Sequence, residues 1–221
     1  MFKTRGIRKI AFAGALLLLP CLTACKNEDT QMNGAARDDV TLTGHVLSGS
    51  TASPVRIDVF SDLQCPSCRE LFIQILQPVM KEYKDKVSIV YHEFPLSGHL
   101  YAHPAARYVA AAGKLGQPQM MSVYDAIFND QAYWASDGNL EASVSKALSG
   151  EDVTRVRQIL QSSNSLAEIN ETIQKEQQLG IRKGVTVTPT MFISHGGGSE
   201  QKVEGRPTYQ VMKQFLDSIV K

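Results

Sequence analysis

Cys65 and Cys68 sit two residues apart in the run Asp62-Leu63-Gln64-Cys65-Pro66-Ser67-Cys68, between two segments of different periodicity. Upstream, residues 55–60 (Val-Arg-Ile-Asp-Val-Phe) alternate and are rich in branched side chains, which predicts a strand. Downstream, Leu71, Phe72, Ile75, Leu76, Val79 and Tyr83 recur at helical spacing. Pro66 suits the first turn of that helix, where a missing N–H costs nothing. Pro78 falls inside it and predicts a kink. Residues 87–94, VSIVYHEF, read as a second strand. Strand, helix, strand predicts a parallel βαβ unit with the cysteines at the strand-to-helix junction. The first cysteine then lies among unpaired backbone N–H groups at the positive end of a helix, and both favour thiolate over thiol. Cys65 is therefore the expected nucleophile and leaving group. Cys68, one turn inside, is expected to resolve the mixed disulfide. A purely structural bridge is disfavoured, because so short a loop barely restrains the unfolded chain.

The chain has four cysteines in 221 residues, and the other two belong to its start. Residues 1–9 carry Lys3, Arg5, Arg8 and Lys9 and no acid; an apolar run from Ile10 to Leu19 follows, then Pro20 and Cys21. This order reads as a secretory signal, and the run is too short to span a bilayer. Leu22-Thr23-Ala24-Cys25 resembles a bacterial lipoprotein lipobox. The resemblance implies cleavage after residue 24 and lipid on Cys25, a membrane anchor made of several acyl chains. Residues 26–39 are polar and aperiodic, a flexible tether. Without the signal, 19 basic residues face 22 acidic ones, a net charge of −3. That balance argues against a nucleic-acid partner. A 43% hydrophobic content argues against a disordered chain.

Three parts are thus expected: a signal over 1–24, a lipidated tether over 25–39 and a folded body over 40–221. Within the body, residues 41–47 read as a short strand. From about 99 to 184 helical patterns dominate: 105–115, 120–129, 140–148, 153–162 and 165–179, with Gly113, Gly116, Gly138, Gly150 and Gly180 near their breaks. Tyr133 and Trp134 are expected in the core of this helical part. Residues 185–194 (VTVTPTMFIS) are strand-like, but Pro189 must occupy a strand start or a special turn. His195 and the glycines after it signal a hairpin, and Tyr209, Met212, Phe215, Leu216 and Ile219 predict a last helix.

Phe60-Ser61-Asp62-Leu63-Gln64-Cys65-Pro66-Ser67-Cys68 resembles the active-site segment of DsbA-like thioredoxin-fold oxidoreductases. Residues 184–193 (GVTVTPTMFI) resemble the segment of that family holding its cis-proline, and Phe94-Pro95-Leu96 with His103-Pro104-Ala105-Ala106 is a third match. The resemblance spans residues 40–221 and implies an α/β thioredoxin fold with an inserted helical subdomain. It implies that Pro189 is cis and faces Cys65, leaving Thr188 to pair with a substrate strand. It implies that an acid near Asp58 lies beneath the thiols as a proton relay, whereas Asp62 reads as a turn or cap residue. The implied activity is donation of the Cys65–Cys68 disulfide to exported, cysteine-containing proteins outside the cytoplasm. A membrane quinone-linked thiol oxidase is the implied recycling partner. No cofactor and no metal is expected beside the cysteine pair. Pro66-Ser67 departs from strongly oxidising members, which have histidine between the cysteines. A reductase or isomerase of the same fold is therefore an alternative. So is a copper- or zinc-binding lipoprotein using the cysteine pair, with Cys65, Cys68, His99 and His103 as a possible Cys₂His₂ set.

Overall fold

The computed structural model describes residues 44–198 and 200–220. The predicted signal, Cys25, the tether and residues 41–43 lie outside them. Five strands form one mixed sheet in the order β1 (His45–Ser48), β3 (Val87–Glu93), β2 (Val55–Ser61), β4 (Thr190–His195), β5 (Gln201–Glu204). β2 and β3 are parallel and the other pairs antiparallel. The crossover between β2 and β3 is the predicted helix, and Cys65 stands at its start. This is the thioredoxin fold that the resemblance implied.

The crossover helix runs as α1 (Pro66–Leu71), a π-helical turn (Phe72–Leu76) and α2 (Gln77–Tyr83), its backbone right-handed through both junctions. The predicted kink at Pro78 is thus a widening. Gln77 N–H reaches back five residues to Phe72 O, so the turn before the proline is loosened to accommodate its ring.

Between β3 and β4 come α3 (Ala102–Gly113), α4 (Gln117–Asn129), α5 (Gln131–Asp137), α6 (Leu140–Ala147), α7 (Gly150–Gln161) and α8 (Ser163–Arg182); α9 (Tyr209–Ile219) closes the chain. The insertion shares the core of the sheet. Phe72 stacks on Phe128 at 4.6 Å between ring centres, and Tyr91 lies 4.9 Å from Tyr124. The opposite sheet face carries a smaller cluster of Phe60, Phe94, Val185 and Phe192. Trp134 is buried as expected, with Nε1 donating to Ile127 O, but Tyr133 is exposed. Pro104 does not exclude helix at His103: both lie in the first turn of α3, where the proline's absent N–H has no partner to lose. Strand β4 begins only at Thr190, so residues 185–189 form the loop leading to it. Among the described residues no helix is long and apolar enough to cross a membrane.

Candidate active site

The site is built where β2 ends and α1 begins. Asp62, wholly buried, organises the junction. Its Oδ1 accepts the N–H groups of Gln64 and Cys65 at 2.7 and 3.1 Å, and its Oδ2 accepts Leu96 N–H at 2.7 Å. This is the predicted turn-and-cap role, extended to a second loop. Gln131, from α5, donates to Leu63 O at 2.7 Å and Cys65 O at 3.1 Å, holding the same turn from the other side.

Cys65 takes the N-cap position of α1, followed by Pro66. Both cysteines are free thiols; Cys65 keeps 8% of its surface exposed and Cys68 none. Hydrogen bonding from the Cys68 thiol, opposed by burial and reinforced by the Cys68 and Ser67 N–H groups, pulls Cys65 down to about 5. Burial first, then the neighbouring Cys65, pushes Cys68 well above the ordinary thiol range. One sulfur is thus prepared as a thiolate and the other as a thiol. Asp62 N–H points at Cys68 Sγ from 3.4 Å.

The Thr188–Pro189 bond is cis, and Thr188 O lies 3.6 Å from Cys65 Sγ. Thr190 Oγ1 donates to Val187 O at 2.7 Å, and Gly205 N–H to Pro189 O at 2.8 Å, fixing the loop on both sides of the proline. Cys65, Cys68, Thr188 and Pro189 therefore meet at one site.

Asp58 does not join them. Side chains alternate along β2, and Asp58 shares its face with Phe60, on the side of the smaller cluster; Cys68 packs with Ile57 and Val59 on the other. Arg56 Nε and Nη2 donate to the two Asp58 oxygens at 2.7 and 2.6 Å, and His92 Nε2 lies 2.9 Å from Oδ1. Burial pushes the carboxyl up, but Arg56 and His92 outweigh it and hold it below the usual range. A relay needs a raised pKa, so this placement corrects the expected role.

His99 Nδ1 pairs with Asp62 Oδ2 at 2.9 Å, and His99 precedes α3 while His103 lies in it, so the two share no helical face. Among the described residues no three His, Cys, Asp or Glu side chains form a metal-holding group. The Cys65, Cys68, His99 and His103 set is not assembled.

Two buried acids escaped the sequence reading. Glu93, at the end of β3, and Glu176, in α8, are each 1% exposed, and Glu93 N–H donates to Glu176 Oε2 at 2.6 Å. A glutamate ending the otherwise apolar Val87, Ile89 and Tyr91 face of β3 was the available signal.

A family model described as thioredoxin matches residues 41–218. The chain is similar to a probable disulfide bond formation protein D of Bacillus cereus, 25% identical over 78% of this chain and 77% of that one. A disulfide bond formation protein D of Bacillus subtilis is 19% identical over 88% and 86%. Among solved structures, Pseudomonas aeruginosa DsbA2 is 25% identical with a TM-score of 0.59, covering 77% of this chain and 91% of that one. The thiol-disulfide exchange protein alpha-DsbA2 of Wolbachia pipientis is 20% identical with a TM-score of 0.64, covering 80% and 87%. With the match extending over nearly the whole folded body, the chain belongs to the thioredoxin family, as a DsbA-like thiol–disulfide oxidoreductase member.

Proposed function

We propose that this protein works outside the cytoplasm, anchored by lipid on Cys25, and donates its Cys65–Cys68 disulfide to cysteines of exported proteins. The donor direction rests on the opposed states of the two thiols: Cys65 is pulled down to about 5 while Cys68 stays protonated. A thiol with a low pKa is a good leaving group, and stabilising its thiolate stabilises the reduced protein, which makes the disulfide a stronger oxidant. The Cys68 thiol and the backbone N–H groups do here what a charged residue between the cysteines does elsewhere.

A substrate thiolate attacks Cys65 Sγ, the Cys65–Cys68 bond breaks and Cys68 leaves with the electron pair. The substrate's second thiolate then attacks its own sulfur in the mixed disulfide and expels Cys65 as thiolate. The substrate is oxidised by two electrons and the protein is reduced by two. A membrane quinone-linked thiol oxidase, the partner the family resemblance implies, would reverse the second change. The names of the relatives, disulfide bond formation and thiol-disulfide exchange proteins, agree with this reading.

The test is trapping combined with a potential. Cys68→Ser should accumulate a mixed disulfide with an unfolded substrate that carries a disulfide, the Cys65 thiolate attacking one sulfur and the other leaving as thiolate, and Cys65→Ser should not. The reduction potential should lie well above that of thioredoxin, about −270 mV. A value at or below it would reverse the direction to a reductase, and two reduced thiols holding a stoichiometric metal would remove the oxidoreductase reading.

A further inference from the structure

Asp62 is a carboxyl with no exposed surface, three residues before the first cysteine. Its Oδ1 takes the N–H groups of Gln64 and Cys65. Its Oδ2 takes Leu96 N–H at 2.7 Å, and His99 Nδ1 lies 2.9 Å from that same oxygen. A carboxylate only accepts, so Nδ1 carries the hydrogen of this bond. His99 N–H in turn donates to Leu96 O at 3.0 Å. Residues 96–99 therefore form a turn with both ends hung on one oxygen of Asp62. Two positions on, Tyr101 N–H donates to Gln64 Oε1 at 2.7 Å, a second tie between this loop and the residues before Cys65.

Among the described residues His99 is the only side chain that pairs with the Asp62 carboxyl, and 29% of it stays exposed. The other groups that sense this carboxyl are repelled by it: Tyr91 and Glu93, raised first by burial, are raised further by Asp62. Opening the disulfide brings one more negative charge to the same place. Cys65 N–H sits on Asp62 Oδ1 at 3.1 Å, and Asp62 N–H points at Cys68 Sγ from 3.4 Å, so Asp62 touches both members of the redox pair. In the disulfide neither sulfur is charged; in the reduced protein Cys65 is the thiolate. A second like charge in a buried site is costly, and a donor on the other oxygen of the first offsets part of that cost. The offset is larger in the reduced protein than in the disulfide.

We infer that His99 is a positioning residue that tunes the redox pair from outside the cysteine motif: its hydrogen bond to Asp62 favours the reduced protein and so makes the Cys65–Cys68 disulfide a stronger oxidant. His99 acts through Asp62, by holding the 96–99 turn and by drawing the carboxylate's charge to the oxygen that does not face Cys65. The inference rests on the proposed thiol–disulfide exchange at Cys65 and Cys68.

The experiment is redox equilibration with glutathione, in which two glutathione thiols become one glutathione disulfide as the Cys65–Cys68 bond opens to two thiols. His99→Phe keeps a ring without a donor. It should shift the equilibrium toward the protein disulfide about tenfold, which lowers the potential by about 30 mV. The ultraviolet absorbance of the Cys65 thiolate should titrate with a higher midpoint than in the wild type. His99→Asn, which restores an N–H donor, should recover part of both shifts. In an Asp62→Asn background the His99→Phe change should have little effect, because the charge that His99 offsets is gone. Urea unfolding of the disulfide forms isolates a purely structural role, which would lower stability and leave the potential unmoved. A wild-type potential and thiolate titration in His99→Phe, or an undiminished shift in the Asp62→Asn background, would overturn the inference. If the wild-type disulfide does not exchange with glutathione at all, the oxidoreductase reading fails instead.

Discussion

Cys65 and Cys68 are one helical turn apart, yet they differ in exposure, in charge and in what can reach them. That difference was legible in the sequence, because a cysteine before Pro66 at a strand-to-helix junction can only be the one at the open helix end. Thr188 was legible only through the family resemblance, since nothing local marks a loop threonine as the partner of a sulfur more than a hundred positions away. Asp58 was misplaced because alternation along a strand turns a one-residue difference into a different face of the sheet. In the reduced protein, iodoacetamide labelling of Cys65 should follow a titration centred near pH 5, with Cys68 unlabelled until the protein unfolds. Mass spectrometry of the labelled peptides reads both. Equal labelling of the two cysteines at neutral pH would contradict the assigned geometry.

At the scale of elements, the strands and most of the helices were legible from period and from glycine breaks. Gly180 reads as a helix end, but α8 continues to Arg182. The glycine is there for packing: a Cβ at this position would come within 2.6 Å of Phe94 and 3.0 Å of Phe60. Helix α5 is too short to show a period, and Gly138 ends it in the left-handed conformation. Pro78, read as a kink, is absorbed by the widened turn before it. At Gly180 a local signal was overruled by a contact distant in sequence, which local pattern does not contain. Gly180→Ala tests the point directly. Helix propensity alone favours alanine by about 1 kcal/mol, whereas overpacking two rings costs about 1–3 kcal/mol. The net expectation is destabilisation of up to about 2 kcal/mol, read as a lower urea midpoint with an unchanged slope. A stabilised variant would mean that Phe60 and Phe94 shift without cost.

For the molecule as a whole, the buried acids give a dependence of stability on pH that opposes the common pattern. Glu93 is pushed up to about 8 and Glu176 well above the carboxylate range, so both bind protons in the native state that the unfolded chain has released. Where the native state holds the extra protons, stability falls as pH rises, by up to about 1.4 kcal/mol per pH unit for each such group. The window where they dominate is about pH 6.5–8 in the disulfide form. There the thiols do not titrate, and His45, lowered to about 4 in the fold, is at most half protonated in the unfolded chain. Below that window His45 works the other way, because its depressed value contributes stability that is lost as pH falls. Near the acid end Asp58, held below its usual range by Arg56 and His92, adds a further loss. Urea unfolding of the oxidised protein should therefore give a higher stability at pH 6.5 than at pH 8. Glu93→Gln should flatten that slope, and a Glu93→Gln, Glu176→Gln double variant should flatten it further. A wild-type protein equally stable at both ends would mean that the two carboxyls ionise inside the fold.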